Sequence, residues 1–311
     1  MQRFFRTLRW CLAGLACALA PAWANPVCVV SSNKVTAFQE AAEALTLELT
    51  RSGVARQDVA TVHGTDSPES SACLQDARAI VSLGTDALRQ VLARNPRAAV
   101  IAGLIPRASY DQVMAETGKK SAANVAALYL DQPLSRQLDL LRLALPRARR
   151  VGVVWGPESV AQQPALSAAA QQRGTELVEG SVNDGSQLIT ALHAALQDTD
   201  VLLAVADAAV YNSTTVSNIL LTSYRAKTPV VAFSPAYVKA GALMAVHTTP
   251  AQAGLQLAGM AAHYLQSGAL GTSQYPVDFT VSTNDYVARS LGLSLDAKTL
   301  TERLHKLEKR P

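Results

Sequence analysis

Short runs of β-branched and apolar residues alternate with amphipathic stretches from Val27 to Val281, and this alternation constrains the fold more than any other feature of the chain. The runs that read as strands are Val27 to Val30, Asp58 to Val62, Ala79 to Leu83, Ala99 to Leu104, Val125 to Leu130 and Val151 to Trp155. They continue with Thr175 to Glu179, Val201 to Ala206, Pro229 to Phe233, Ala242 to Val246 and Val277 to Val281. Between them, apolar residues recur at three and four, as in Phe38, Ala41, Leu45 and Leu49, or Leu134, Leu138, Leu141 and Leu145. A weaker stripe runs through Val216, Ile219, Leu220 and Ser223. Strand, helix, strand in series is the pattern of parallel sheets with crossover helices, so the fold class is α/β. With 311 residues, 49% apolar and 17% charged, the chain has the material for real cores, which excludes disorder and a coiled coil.

One series runs from Val27 to Leu104 and a second from Val151 to Val246, which predicts two Rossmann-like lobes with helices on both faces of each sheet. The link from Val125 to Pro133 is apolar and extended, so the lobes are joined by strand-like crossovers and not by a loose tether. The later helix from Ala251 to Gln266, with Ala253, Leu257, Met260 and Tyr264 on one face, is expected to return to the first lobe, and the late strand to the second. This gives a first lobe of residues 25–128 plus 249–270, a second of residues 129–248 plus 271–293, and a C-terminal helix and tail over 294–311.

The first 24 residues read as a secretory signal, with Arg3, Arg6 and Arg9, an apolar run from Trp10 to Ala20, and Pro21 before Ala22-Trp23-Ala24. Cleavage is expected after Ala24, leaving a periplasmic chain that begins at Asn25. Cys17 follows Gly14-Leu15-Ala16, a poor match to a lipid-attachment motif. Three of the four net positive charges belong to the signal, and the remaining cationic clusters, Arg147 to Arg150 and Lys306 to Arg310, read as a solvated turn and a helix end. Nucleic acid is therefore not an expected partner. Cys28 and Cys73 remain in an oxidising compartment, either as a disulfide or as two buried thiols. With no Cys-x-x-Cys and with His63, His193, His247, His263 and His305 scattered singly, no metal site is expected.

In open parallel sheets a ligand sits beyond the carboxyl ends of the strands. That rule selects Ser31 and Ser32, Gly84 and Thr85, and Ile105 to Tyr110 from the first series. From the second it selects Trp155 and Gly156, Asp207, and the segment from Ser234 to Tyr237. In Leu83-Gly84-Thr85-Asp86, Thr85 would cap a helix whose N–H groups favour a carboxylate, or act as an ordinary cap only. Asp207, after six apolar residues, would meet a ligand ammonium or cap the helix after Tyr211. Trp155 would stack on an apolar ligand or pack in the core. Tyr129, Tyr211 and Tyr237 fall near the expected cleft.

Several segments together resemble the type I periplasmic binding proteins, specifically the solute-binding proteins of ABC importers whose relatives include aromatic amino-acid binders. They are Gln137-Leu138-Asp139-Leu140-Leu141 through Leu145-Pro146, Arg150-Val151-Gly152-Val153-Val154, Ala206-Asp207, Thr228-Pro229-Val230-Val231 and Val238 to Leu243. Gly254, Gly268, Ser282-Thr283-Asn284 and Ala288 to Leu293 complete the set. The resemblance implies a monomer without a cofactor that closes around an amino acid or similar solute and delivers it to an ABC permease. Closure would turn on Val125 to Pro133 and on crossovers near Thr248 and Leu270. Relatives usually carry Ser-Asp-Pro after the fourth strand, where this chain has Gly103 to Tyr110 instead. That departure leaves room for a second reading, a ligand-sensing module of the same fold acting on a membrane receptor or kinase. A hydrolase is not expected, because there is no Gly-x-Ser-x-Gly elbow and no paired histidine and carboxylate.

Overall fold

Every residue of Val27–Ser31 is buried, and its side chains alternate between two cores: Val27 and Val29 enter one, Cys28 and Val30 the other. A strand apolar on both sides has to be covered on both faces, which is what the helices of a parallel α/β sheet do. The computed structural model describes residues 26–117, 124–183 and 187–308, so the signal segment and Asn25 lie outside the described residues.

The first sheet is built from β1 (Val27–Ser31), β2 (Val59–His63), β3 (Ala79–Leu83), β4 (Ala99–Ile105) and β5 (Val125–Tyr129), in the order β2-β1-β3-β4-β5, all parallel. Helices α1 (Thr36–Arg51), α2 (Pro68–Asp76), α3 (Thr85–Ala93) and α4 (Arg107–Glu116) make its crossovers. The chain then enters α5 (Leu134–Ala144) and the second series: β6 (Arg150–Trp155), α6 (Gln163–Gln172), β7 (Glu176–Ser181), α7 (Leu188–Ala195) and β8 (Val201–Leu203). It continues through α8 (Val216–Arg225), β9 (Val230–Ala232), α9 (Pro235–Ala240) and β10 (Met244–His247). α10 (Pro250–Ser267), β11 (Thr280–Thr283), α11 (Asp285–Ser290) and α12 (Ala297–Glu308) follow. The second sheet has the order β11-β10-β9-β8-β6-β7. Two separate sheets of α/β type are thus present, as the sequence predicts. One strand departs from the expected parallel arrangement: β11 runs antiparallel to β10, because the chain reaches it from α10 instead of from a crossover helix on the same sheet.

α10 belongs to the first lobe's core, where Leu257, Ala258 and Ala261 are fully buried with Ala41 and Leu45 of α1. The two helices approach so closely that a Cβ on Gly254 would stand 2.3 Å from the Ala41 carbonyl oxygen, so only glycine fits there. The start of α10 is fixed by a capping box: Thr249 Oγ1 accepts the Gln252 N–H, and Gln252 Oε1 accepts the Thr249 N–H. β11, α11 and α12 pack with the second lobe, where Phe279, Val281, Ala288, Leu300 and Leu304 join Leu138 and Leu141.

The chain therefore passes between the lobes three times, after β5, after β10 and after α10. Side chains tie the passages together: Gln132 Nε2 donates to Thr248 Oγ1 at 2.8 Å, and Thr248 Oγ1 donates to the Asp278 carbonyl at 2.8 Å. Arg136 Nη1 donates to Gln132 Oε1 and to the Pro276 carbonyl. The third passage also docks on the edge of β5, where Gln274 exchanges backbone hydrogen bonds with Ala127 and Tyr129. Cys28 of β1 is bonded to Cys73 of α2, with Cα atoms 5.7 Å apart.

Candidate functional site

A parallel sheet places all its carboxyl ends on one edge, and here the edges of both sheets open onto common space. A cavity of about 190 Å³ is lined by the residues just past β4 (Pro106), β5 (Leu130, Asp131), β8 (Val205, Ala206) and β9 (Phe233, Ser234). His247 at the end of β10, with Gln132, Gln137, Gln162 and Thr248, completes much of its wall. A neighbouring cavity of about 380 Å³ shares Leu134 and Gln162 with it and reaches Arg107, Asp111, Glu158 and Tyr275. Strand tips of two sheets converging on one gap between lobes is the arrangement of a two-lobed binding protein.

The family comparison agrees with that geometry: residues 79–296 match the family described as ABC transporter substrate binding protein. The chain belongs to this family. Substrate-binding proteins of this family are extracytoplasmic and are not enzymes, and among the described residues no helix is long and apolar enough to cross a membrane. The chain is similar to a ligand-free, open substrate-binding protein with adhesive properties from Clostridium difficile, at 17% identity and TM-score 0.68 over 87% of this chain and 96% of that one. It is similar to a Streptococcus pneumonia ABC domain in complex with L-Trp, at 15% identity and TM-score 0.60 over 89% of this chain and 98% of that one. A conserved domain protein from Vibrio cholerae matches at 19% identity and TM-score 0.58, over 89% of this chain and 97% of that one. At these identities the likeness is one of fold. No curated protein matches the chain at a significant level.

The gap is approached by loops of both lobes, but the residues selected from the sequence are distributed unevenly around it. Ser234 lines the cavity, and Phe233 beside it meets Tyr237 at 4.8 Å and Tyr211 at 5.9 Å between ring centroids. Tyr211 is buried, its hydroxyl has no partner, and burial pushes its ionisation well above the usual phenol range. Tyr129, the last residue of β5, meets Tyr110 and Tyr275 edge-on at 5.7 and 5.3 Å, and burial raises its phenol too. Ser31, Ser32, Gly84 and Thr85 sit on the same edge of the first sheet but do not line this cavity. The Ser31 hydroxyl is engaged with His63 Nδ1 at 2.8 Å.

For Trp155 the structure takes the core-packing alternative, and the expected roles of Asp207 and Thr85 need correction. Trp155 is 1% exposed, on the same side of β6 as Val151 and Val153, and its indole N–H donates to Glu179 Oε1 at 2.6 Å. The two-residue period of the strand turns it into the core under α5 and α6, with no face left for stacking. Asp207 is buried and fully occupied: Oδ2 accepts from the Glu158 and Ser159 N–H groups and the Ser159 hydroxyl, and Oδ1 from the Ala209 N–H. It organises the loop after β6 and the turn before α8. Thr85 is the first residue of α3 and not its cap; Gly84, at φ 90°, holds the cap position without a side chain to offer.

The departure after β4 has a structural counterpart. The register of β4 against β5 shifts between Ala102 and Ile105, and Leu104 inside that bulge has φ 51°, a left-handed conformation that costs a branched residue free energy. The bulge turns Pro106 and Arg107 toward the gap. Asp131 Oδ2 accepts the Arg107 N–H at 2.6 Å at the start of α4, and burial raises the Asp131 carboxyl above its ordinary range. Burial likewise lowers His247, whose Nε2 contacts Ser282 Oγ at 2.9 Å. Asp131, Gln137, Gln162 and His247 were not selected from sequence. Asp131 and Gln132 stand inside the segment read there as a lobe link, and Gln137 sits within an apolar helical stripe.

Proposed function

We propose that this protein is an extracytoplasmic solute receptor whose two lobes close around a small molecule and present it to an ABC permease. The observation that supports this most is the cavity walled by carboxyl-terminal strand ends of both sheets. A solute there touches both lobes at once, so its affinity differs between open and closed states and shifts their balance. The three interlobe passages, tied at Gln132, Thr248 and Asp278, are the hinge of that motion. Export by the N-terminal signal with cleavage after Ala24 fits the same reading, as does the Cys28–Cys73 bond, which belongs in an oxidising compartment. The ligand is an amino acid or a similar small solute, in keeping with the L-Trp complex of the similar ABC domain.

The test is thermal unfolding against amino acids, peptides, nucleosides and sugars. A ligand at 100 times its Kd stabilises the fold by about 2.7 kcal/mol. A shift with one chemical class supports the reading, and silence across all classes contradicts it. The altered segment from Ile105 to Tyr110 favours one second reading, a sensor whose closed form is read by a membrane receptor or kinase. Ligand-dependent stimulation of the ATPase of a reconstituted cognate permease separates the two; a sensor gives none.

A further inference from the structure

We propose that Arg107 and Glu158 are positioning residues for closure: an ion pair between them latches α4 of the first lobe against α6 of the second when the gap shuts. The latch deepens the two-lobe receptor reading above and rests on it.

The larger of the two interlobe cavities, about 380 Å³, has one wall from each lobe. Arg107, Ala108 and Asp111 come from α4, whose Tyr110 and Val113 are buried in the core of the first lobe. Glu158, Ala161, Ala165 and Ala169 come from the loop after β6 and from α6, whose Leu166 and Ala170 are buried in the core of the second. Both walls are fastened at their base. Asp131 Oδ2 accepts the Arg107 N–H, and α6 is pinned to α5 by Arg173, whose Nε and Nη2 donate to the Asp139 carboxylate at 2.8 and 2.7 Å. Asp131 and the start of α5 belong to the first interlobe passage, so a hinge motion there carries one wall toward the other.

The charges on the two walls are opposite and under-used. Arg107 Nη1 donates to the Tyr275 hydroxyl at 2.8 Å, and its Nε stands 3.7 Å from Asp111 Oδ2, a long contact between two exposed groups. Glu158 makes no ion pair among the described residues, and its Oε2 accepts the Ala208 N–H at 3.3 Å. A guanidinium carries donors on more than one edge, so Arg107 can take Glu158 as a partner without releasing Tyr275. Such a pair is worth little in open water, but closure expels water from between the walls and strengthens it. The facing surface permits the approach. Ala161, Ala165 and Ala169 recur at every fourth residue along α6 and the turn before it, and they set nothing larger than a methyl group against Ala108.

The experiment traps the closed form without any ligand. Ala108→Cys with Ala165→Cys puts one thiol on each wall, and a disulfide forms only when their Cα atoms come within about 7 Å. Oxidised glutathione is the oxidant, and non-reducing electrophoresis follows the rate. The pair is expected to cross-link, and adding Glu158→Gln, which keeps an acceptor for the Ala208 N–H, should slow the reaction about twofold to fivefold. Loss of a nearby negative charge makes a thiol more reactive, so slowing reports the lost latch and not the chemistry of the cysteines. Asp111→Asn removes the competing carboxylate and should not slow it. Arg107→Glu should slow it, and Arg107→Glu with Glu158→Arg should restore it, whereas merely structural roles would add the two defects. No cross-link, a rate indifferent to Glu158→Gln, or a swapped pair that fails to recover would overturn the latch. Contraction in X-ray scattering on adding an amino acid, peptide, nucleoside or sugar, with no cross-link, would overturn the latch and leave the receptor reading standing. A cross-link that follows the charges, with no solute shifting the unfolding midpoint, supports the latch and counts against the receptor.

Discussion

Arg136 and Glu308 form a two-pronged ion pair, Nε to Oε1 at 2.6 Å and Nη2 to Oε2 at 2.8 Å, that joins the last turn of α12 to the first turn of α5. The same guanidinium lies 4.2 Å from the Phe279 ring centroid and reaches Gln132 and Pro276 of two interlobe passages. The C-terminal helix is thereby tied to the interlobe passages, through a buried cation whose donors reach acceptors on three segments.

Removing the carboxylate should cost stability. Glu308→Ala leaves the Arg136 charge buried with two acceptors in place of four, and because Glu308 is itself part-exposed the loss should be about 1–3 kcal/mol, below that of a fully buried pair. Arg136→Ala should cost more, since Gln132 Oε1 and the Pro276 carbonyl lose a donor as well. Urea unfolding of both variants checks the order; equal stability of Glu308→Ala and wild type would contradict it.

Gly156 and Asp207 make a second exacting contact. A Cβ on Gly156 would lie 2.4–2.5 Å from the Asp207 carboxylate atoms, which are held in place by four hydrogen bonds. Gly156→Ala should therefore destabilise the second lobe by about 2 kcal/mol or more, and Asp207→Ala by about 3 kcal/mol as buried donors lose their acceptor. If Asp207→Ala abolished ligand binding while leaving the unfolding midpoint in place, its role as a loop organiser would be wrong.

The Cys28–Cys73 bond closes a loop with a sequence separation of 45. By the chain-entropy relation, a bond of that span stabilises the fold by about 4 kcal/mol. Unfolding in the presence and absence of a reductant measures it, with Cys73→Ala as the control that should no longer respond.

Acid should weaken the fold through His247. Burial lowers its folded pKa below the ordinary 6.5, so in the window between the two the unfolded chain binds a proton that the folded chain does not. Stability then falls as pH drops through 6.5 and stops falling through this group once the folded pKa is passed. His247→Gln should flatten that part of the midpoint-against-pH curve, and an unchanged slope would assign it elsewhere.

Most of the architecture was legible because strands buried on both faces announce themselves as continuous apolar runs. Val27–Ser31, Ala79–Leu83 and Val201–Leu203 all fall where those runs do. The site was less legible. The strand-end rule places a residue on an edge but does not say which way its side chain points: Trp155 turns inward by the parity of its strand, and Asp207 is used up by neighbouring N–H groups. Gln137 was hidden for the opposite reason. It lies among the leucines of α5, and only the path of the chain out of β5 brings that helix to the gap. The Leu104 bulge leaves no mark in sequence, since a leucine at positive φ is recognisable only from its backbone.

Small-angle X-ray scattering of the protein, with and without the ligand that gives the largest thermal shift, tests the proposed two-lobe clamp most directly. The account predicts a smaller radius of gyration in the bound form, and loss of that contraction when the ligand's contact to either lobe is removed. A ligand that binds tightly while the scattering profile stays that of the free protein would contradict it.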